Sequence, residues 1–360
     1  MDSRCRRLDS DHPLASDLQH VLDDTKNLWA ELRGQRVFIT GGSGFVGAWL
    51  LHSFIWACQS LDLDAEAVVL TRNPSVFRER LPEAAADPHV RTVVGDVRTF
   101  DFPTVSCRYV IHAAADGVGR RDPGNARMIL DTVVDGTKQV LSYVRAAGVR
   151  KLLFVSSGAV YGRQAPTIRR MAETEASAPS PLDVTSAYAE AKRIAELLCL
   201  IESRCCGFEL KVARAYTFVG PYLPLDGFAI GNFIQDALSD MPVRVRGDGT
   251  PRRSYLYASD LAVWLWTILF NGKSARAYNV GSESDISIEE VARLVAAGVT
   301  PNVPVLVERP RADAEAAERY VPDTSRARGE LGLAERVGVA DGIVRTLAWH
   351  KQRRAHPTPA

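Results

Sequence analysis

Val37-Phe38-Ile39-Thr40-Gly41-Gly42-Ser43-Gly44-Phe45-Val46-Gly47 runs straight into the apolar stretch AWLLHSFIWA at 48–57, and the architecture follows from this passage. Branched and aromatic residues at 37–39 suit a buried strand, and the longer apolar run suits a helix. Between them, glycine at 41, 44 and 47 removes Cβ atoms where the backbone has to turn sharply, approach a pyrophosphate and pack helix against strand. The helix N-terminus that follows offers free N–H groups to phosphate oxygens. Glycine-rich turns are common, but one that follows a strand, opens a helix and begins an alternating pattern predicts a dinucleotide site.

The alternation continues downstream. Strand-like runs recur at 67–70, 90–95, 109–114, 151–157 and 210–215, and helical stretches fit 45–59, 125–147 and 187–204. Strands separated by helices form a parallel sheet covered on both faces. The expected fold class is therefore α/β, a doubly wound parallel sheet. Beyond Gly220, segments punctuated by Pro and Gly (GPYLPLDG, RGDGTPRRS), with helices near 228–240, 259–271 and 287–297, predict a smaller C-terminal α/β lobe. Residues 1–33 place Leu14, Leu18, Val21, Leu22, Leu28, Trp29 and Leu32 near one helical face, which predicts an appended helical extension. The expected division is 1–33 for the extension, 34–220 for the dinucleotide-binding domain and 221–350 for a substrate lobe, with some exchange of segments between lobes.

Composition narrows the partners. The 360 residues are 46% hydrophobic and 24% charged, which excludes a disordered or collagen-like chain. Forty-four Lys+Arg against 43 Asp+Glu leave a formal charge of +1, too little for a global basic field that holds nucleic acid or an anionic membrane. The most apolar run, Leu261 to Phe270, falls far short of the ~20 residues of a membrane span. The N-terminus has no apolar signal core, so a soluble, cytoplasmic protein is expected. Cys5, Cys58, Cys107, Cys199, Cys205 and Cys206 show neither C-x-x-C nor Cys/His spacing, which predicts reduced thiols and no metal site.

The second strand ends Leu70-Thr71-Arg72-Asn73-Pro74, without the carboxylate that accepts the adenosine ribose hydroxyls of NAD. NADP(H) is favoured, with Arg72 meeting the 2′-phosphate; NAD(H) is the alternative, with Arg72 stacked on adenine or facing solvent. Asp96, in Gly95-Asp96-Val97, either reaches the adenine amino group or caps a turn.

Tyr188 and Lys192 stand four apart in SAYAEAKRIAELLCL, on one helix face. A cation beside a phenol stabilises phenolate, so Lys192 is expected to lower the Tyr188 pKa and fit it for proton exchange with a sugar oxygen. Ser157, in SSGAVYG at the C-terminal end of a strand, can polarise the same oxygen.

At this point the chain resembles the extended short-chain dehydrogenase/reductase family, in its nucleotide-sugar epimerase, dehydratase and reductase branch. The matching residues are TGGSGFVG at 40–47, GDV at 95–97, HAAA at 112–115, SSGAVYG at 156–162, YAEAK at 188–192, Arg214 with Gly220-Pro221, and GDGTPRRSYLYASDLA at 247–262, spread over about residues 36 to 300. The resemblance implies a Rossmann-type first lobe that binds NAD(P), a second lobe that binds a nucleoside-diphosphate sugar, and Ser157, Tyr188 and Lys192 as the catalytic set. It implies a cofactor site of Gly41, Ser43, Gly44, Phe45, Val46, Gly47, Thr71, Arg72, Asp96, Val97, Ala113, Ala114 and Ala115, with Tyr188 and Lys192. Asp116, Tyr161, Thr217, Asn232 and Arg253 are the implied substrate residues, and helices 125–147 and 187–204 the implied four-helix interface of a homodimer.

Departures from the family pattern bear on the reaction. Family 4,6-dehydratases carry an Asp-Glu pair where this chain has Gly158 and Ala159, and neither can transfer a proton. Val133 and Thr217 stand where asparagines support the active-site lysine and the diphosphate. Those two departures loosen the substrate pose and leave the hydride and proton machinery in place; Gly158-Ala159 with the carboxylate-free TRNP turn favours an NADPH-dependent 4-keto reductase of a nucleoside-diphosphate hexose. A 4-epimerase that retains its nicotinamide is the runner-up, then a 4,6-dehydratase with relocated acid and base. A non-catalytic NADP sensor or scaffold is the alternative from another class. Trp264, Trp266 and His112 read as packing residues.

Overall fold

A computed structural model of the chain describes residues 8–115, 123–309 and 317–355; Asp116 lies outside them. Strands β1 (Arg36–Thr40), β2 (Glu66–Thr71), β3 (Val90–Val94), β4 (Tyr109–His112), β5 (Lys151–Ser157) and β6 (Glu209–Ala215) join a late strand, Arg276–Val280, in one seven-stranded sheet. The spatial order is 276–280, β6, β5, β4, β1, β2, β3, and every pairing is parallel. Order reverses between β1 and β4, where Thr40 lies beside His112, so a crevice opens beyond the carboxyl ends of these strands.

Strand residues alternate between two cores, as a period of two requires. Val37, Ile39, Leu153 and Val155 face a core built with helices α1 (Ala15–Thr25) and α2 (Phe45–Leu61). Phe38, Leu152 and Phe154 face the other. Beyond the short helices α3 (Pro74–Arg80) and α4 (Pro82–Ala86), helices α5 (Ala126–Ala147) and α6 (Ala187–Cys206) cover that second face. Helix α7 (Ala229–Leu238) belongs to a third core with α9 (Ile288–Ala297). Helix α8 (Ala258–Asn271), apolar all round, returns to the first core. Trp264 and Trp266 are buried there, their indole N–H groups donating to Ala334 O at 3.1 Å and Ser53 Oγ at 2.9 Å.

The N-terminal extension docks on α2 and α8. Leu18, Val21 and Trp29 are fully buried, and the Tyr257 hydroxyl donates to Asp17 at 2.6 Å. Among the described residues no helix is long and apolar enough to cross a membrane, and the five described cysteines are free thiols.

Candidate active site

A cavity of 980 Å³ occupies the crevice, lined on the sheet side by Gly41, Gly44 and Phe45 and by Ser157, Tyr188 and Lys192. Phe228, Asn232 and Arg253 line the opposite wall.

Steric limits explain the glycine turn. Gly41 has φ +76°, and a Cβ there would lie 2.8 Å from the Ala113 carbonyl. A Cβ on Gly47 would lie 2.3 Å from Gly41 O. Gly44 caps α2 without a side chain, so the first N–H groups of that helix are left for an anion. This bare, Cβ-free cradle fits the pyrophosphate of a nicotinamide dinucleotide.

The residues expected to meet adenosine stand apart from the glycine turn. Thr71, Arg72, Asp96 and Val97 sit at the ends of β2 and β3, outside the cavity, where Gly95 N donates to Thr71 O at 3.0 Å. No carboxylate ends β2; Asn73 instead caps α3, accepting from Ser75 N and Val76 N. Arg98 grips Asp96 in a two-pronged pair at 2.8 and 3.0 Å and holds its carboxyl below the usual range. Asp96 Oδ1 also accepts from Arg98 N at 2.9 Å, a contact within the turn. The buried Val97 side chain packs on Gly136.

Ser157 ends β5 in extended conformation, its Oγ accepting from Ala159 N at 3.1 Å. Lys192, only 2% exposed, donates from Nζ to Val155 O at 2.8 Å and lies 6.0 Å from the Tyr188 ring centre. Burial pulls the ammonium down to about 8, against the opposing pull of Cys199 and Glu196. Burial pushes the Tyr188 phenol up to about 12, opposed by a hydrogen bond from Ser157. The expected lowering of Tyr188 by Lys192 does not appear: burial moves the phenol up, and Ser157 rather than Lys192 is the group that pulls it down. Val133, where the resemblance places an asparagine, is buried and apolar.

Position 158 is closed. A Cβ on Gly158 would stand 2.6 Å from the Tyr216 ring and 2.7 Å from the Tyr320 hydroxyl, so no carboxylate can grow from this point without displacing both. Tyr320 comes from the short strand Arg319–Tyr320, paired beside Arg253. Sequence reasoning missed it, because no local spacing links it to Ser157.

The model of the NAD dependent epimerase/dehydratase family matches residues 37–281. The chain belongs to this family. UDP-glucuronic acid decarboxylase 2 of Arabidopsis thaliana is 28% identical over 323 residues, 89% of this chain and 69% of that protein. dTDP-glucose 4,6-dehydratase of Streptomyces niveus is 27% identical over 332 residues, 89% of this chain and 94% of that protein. Among solved structures, a dTDP-glucose 4,6-dehydratase from Streptomyces venezuelae with NAD and TYD bound superposes with a TM-score of 0.75 at 25% identity, covering 89% of this chain and 98% of that one.

The residues expected to meet substrate in this family member separate into two groups. Asn232, Thr217 and Arg253 line the cavity. The Thr217 hydroxyl donates to Ser254 O, and Arg253 pairs with Glu318 at 2.8 Å. Its neighbour Arg252 is tied to Asp285 at 2.5 Å and plays a structural part. Tyr161 is corrected: it is 2% exposed and outside the cavity, its hydroxyl donating to Asn279 Oδ1 and accepting from Arg214, both at 2.9 Å. Arg214 is held in turn by Glu196, which also accepts from Ser156 Oγ at 2.6 Å. This buried polar network braces the end of β5 against α6 and was invisible in the sequence. His112 is locked by Thr40 and Thr137 at 2.8 and 3.1 Å, and burial drives it down to about 3, consistent with packing.

Proposed function

We propose that this family member is an NADPH-dependent reductase of a 4-keto nucleoside-diphosphate hexose. The carrying observation is the closed position 158: the Ser157, Tyr188 and Lys192 side chains are available, but the place of an elimination acid is filled by Tyr216 and Tyr320. That supports chemistry needing one hydride and one proton at a single carbon. The nicotinamide supplies the hydride when bound. Ser157 orients the carbonyl oxygen, Tyr188 gives it the proton that burial keeps on the phenol, and Lys192 holds the cofactor ribose.

Epimerisation at C4 is the second reading, favoured because the same three side chains also serve a hydride that returns to its sugar. Reduced nicotinamide consumed in proportion to product supports reduction. Conversion of a panel of nucleoside-diphosphate sugars without net consumption, or with release of carbon dioxide, overturns it.

The cofactor preference has its own test. Arg72→Ala is expected to weaken NADPH binding about tenfold and NADH binding less than twofold, a loss within the range of one charge-assisted contact. Equal weakening, measured by fluorescence titration, removes the 2′-phosphate contact.

A homodimer through α5 and α6 is part of the same proposal. Ile194, Leu197 and Ile201 are 41, 58 and 51% exposed along one face of α6, an apolar stripe suited to a second copy. Leu197→Glu is expected to shift the protein to monomer in size-exclusion chromatography with light scattering. An unchanged mass rejects that face.

A further inference from the structure

Tyr222 is left-handed, with φ +69°, a conformation that glycine adopts freely and a tyrosine adopts only where its surroundings hold it there. The Arg80 guanidinium donates to Tyr222 O at 2.9 Å, and the Trp49 indole donates to the preceding carbonyl, Pro221 O, also at 2.9 Å. The buried ring packs on Trp349 of the helix Val339–Ala355 with centroids 4.6 Å apart, and the Arg353 guanidinium lies 5.6 Å from its centre. His52 Nδ1 meets Ala48 O at 2.7 Å and must donate there. Burial lowers the His52 pKa, so Nε2 of the neutral ring accepts from the Tyr222 hydroxyl at 3.2 Å. Carbonyl, ring and hydroxyl are thus each gripped, by α2, α3 and the helix 339–355.

Leu223 and Pro224, the next two residues, line the 980 Å³ cavity, and Tyr222 does not. A Cβ on Gly231 would lie 2.4 Å from Pro224 O, so α7 rests directly on this turn and presents Asn232 to the cavity one residue later. We propose that Tyr222 is a positioning residue: it pins the Leu223–Pro224 wall, and through it α7, at the spacing that a nucleoside-diphosphate sugar requires. This deepens the reductase reading, on which it rests. The pin touches none of Ser157, Tyr188 and Lys192, so it acts on binding and not on the chemical step. Without it, each incoming sugar nucleotide has to order the wall, and the free energy of ordering is lost from affinity.

Tyr222→Gly relieves the backbone and removes ring and hydroxyl together, whereas Tyr222→Phe keeps the ring and loses only the bond to His52. Arg80→Met leaves the tyrosine in place and releases its carbonyl, which serves where the glycine variant is too unstable to assay. Tyr222→Gly and Arg80→Met are expected to raise KM for the keto sugar about tenfold, with kcat and NADPH affinity within about twofold of wild type. Tyr222→Phe should stay within about threefold of the wild-type KM. UDP-glucose and dTDP-glucose, titrated calorimetrically, need no turnover, and whichever wild type binds more tightly should weaken by the same factor. Amide exchange across 220–227 in the free protein should quicken about tenfold or more. A lower melting temperature with KM and probe affinity unchanged marks a purely structural residue and overturns the proposal. Exchange at the wild-type rate, or a fall in kcat at constant KM, overturns it as well. Weakened probe binding with faster exchange, in a protein that reduces no keto sugar, supports the pin and rejects the reductase reading alone; wild-type protein that neither binds a probe nor reduces a keto sugar overturns both.

Discussion

Tyr188→Phe is expected to lower reductive turnover by about 10²- to 10⁴-fold while NADPH affinity stays within about twofold. The phenol lies in the cavity with Ser157 and is pushed up to about 12 by its burial, and phenylalanine keeps the ring while deleting the proton. Lys192 and the glycine cradle are untouched by the change, so a dinucleotide should still bind. Stopped-flow reduction and a fluorescence titration of NADPH separate the two effects. Undiminished turnover removes Tyr188 as the donor.

Lys192→Met is expected to act in opposite directions on activity and stability. Turnover should fall at least 10²-fold with the loss of the ammonium from the cavity wall. Stability at pH 7 should rise by about 1–3 kcal/mol. Burial holds the Lys192 pKa at about 8 against an ordinary 10.5, so between these values the unfolded chain binds more protons than the folded one. Wild-type stability from this group therefore climbs as pH rises from 8 to 10.5, and the full penalty, about 3 kcal/mol, applies below 8. Methionine abolishes the penalty and loses the bond to Val155 O, which offsets part of the gain. Urea unfolding at pH 7 and pH 10.5 should show the variant's advantage shrinking at the higher pH. A variant less stable than wild type at pH 7 contradicts the desolvation argument.

The fold was legible wherever one local pattern carried it. Residues 37–47 hold a strand, a turn and a helix start in eleven positions, and their side chains and missing Cβ atoms leave one solution. The i, i+4 spacing likewise placed Tyr188 and Lys192 on one face of α6. What the sequence hid is what closes over long distances. Tyr320 reaches Gly158 from a two-residue strand, too short to show a period. Tyr161 was expected at the substrate because SSGAVYG at 156–162 matches the family motif, but Arg214 and Asn279, brought in from other strands, bind its hydroxyl in the interior. The Tyr188 pKa misled for a related reason: spacing shows that a cation is near, whereas only the packed structure shows how little water remains and that Lys192 points its hydrogen at a carbonyl. Strand Arg276–Val280 returns to the main sheet beside β6 after the whole second region has begun, an excursion that no local propensity encodes.

Following the hydride from cofactor to sugar separates single-carbon reduction from every competing reaction. The protein is given NADPH deuterated at the transferable position of the nicotinamide, together with a nucleoside-diphosphate 4-keto hexose, and the sugar product is analysed by mass spectrometry and NMR. One cofactor deuterium at C4 for each NADP⁺ formed, with no exchange at C5 or C6, is the expected result. A product with no cofactor deuterium, or with solvent hydrogen entering at C5 or C6, would contradict single-carbon reduction by Ser157, Tyr188 and Lys192.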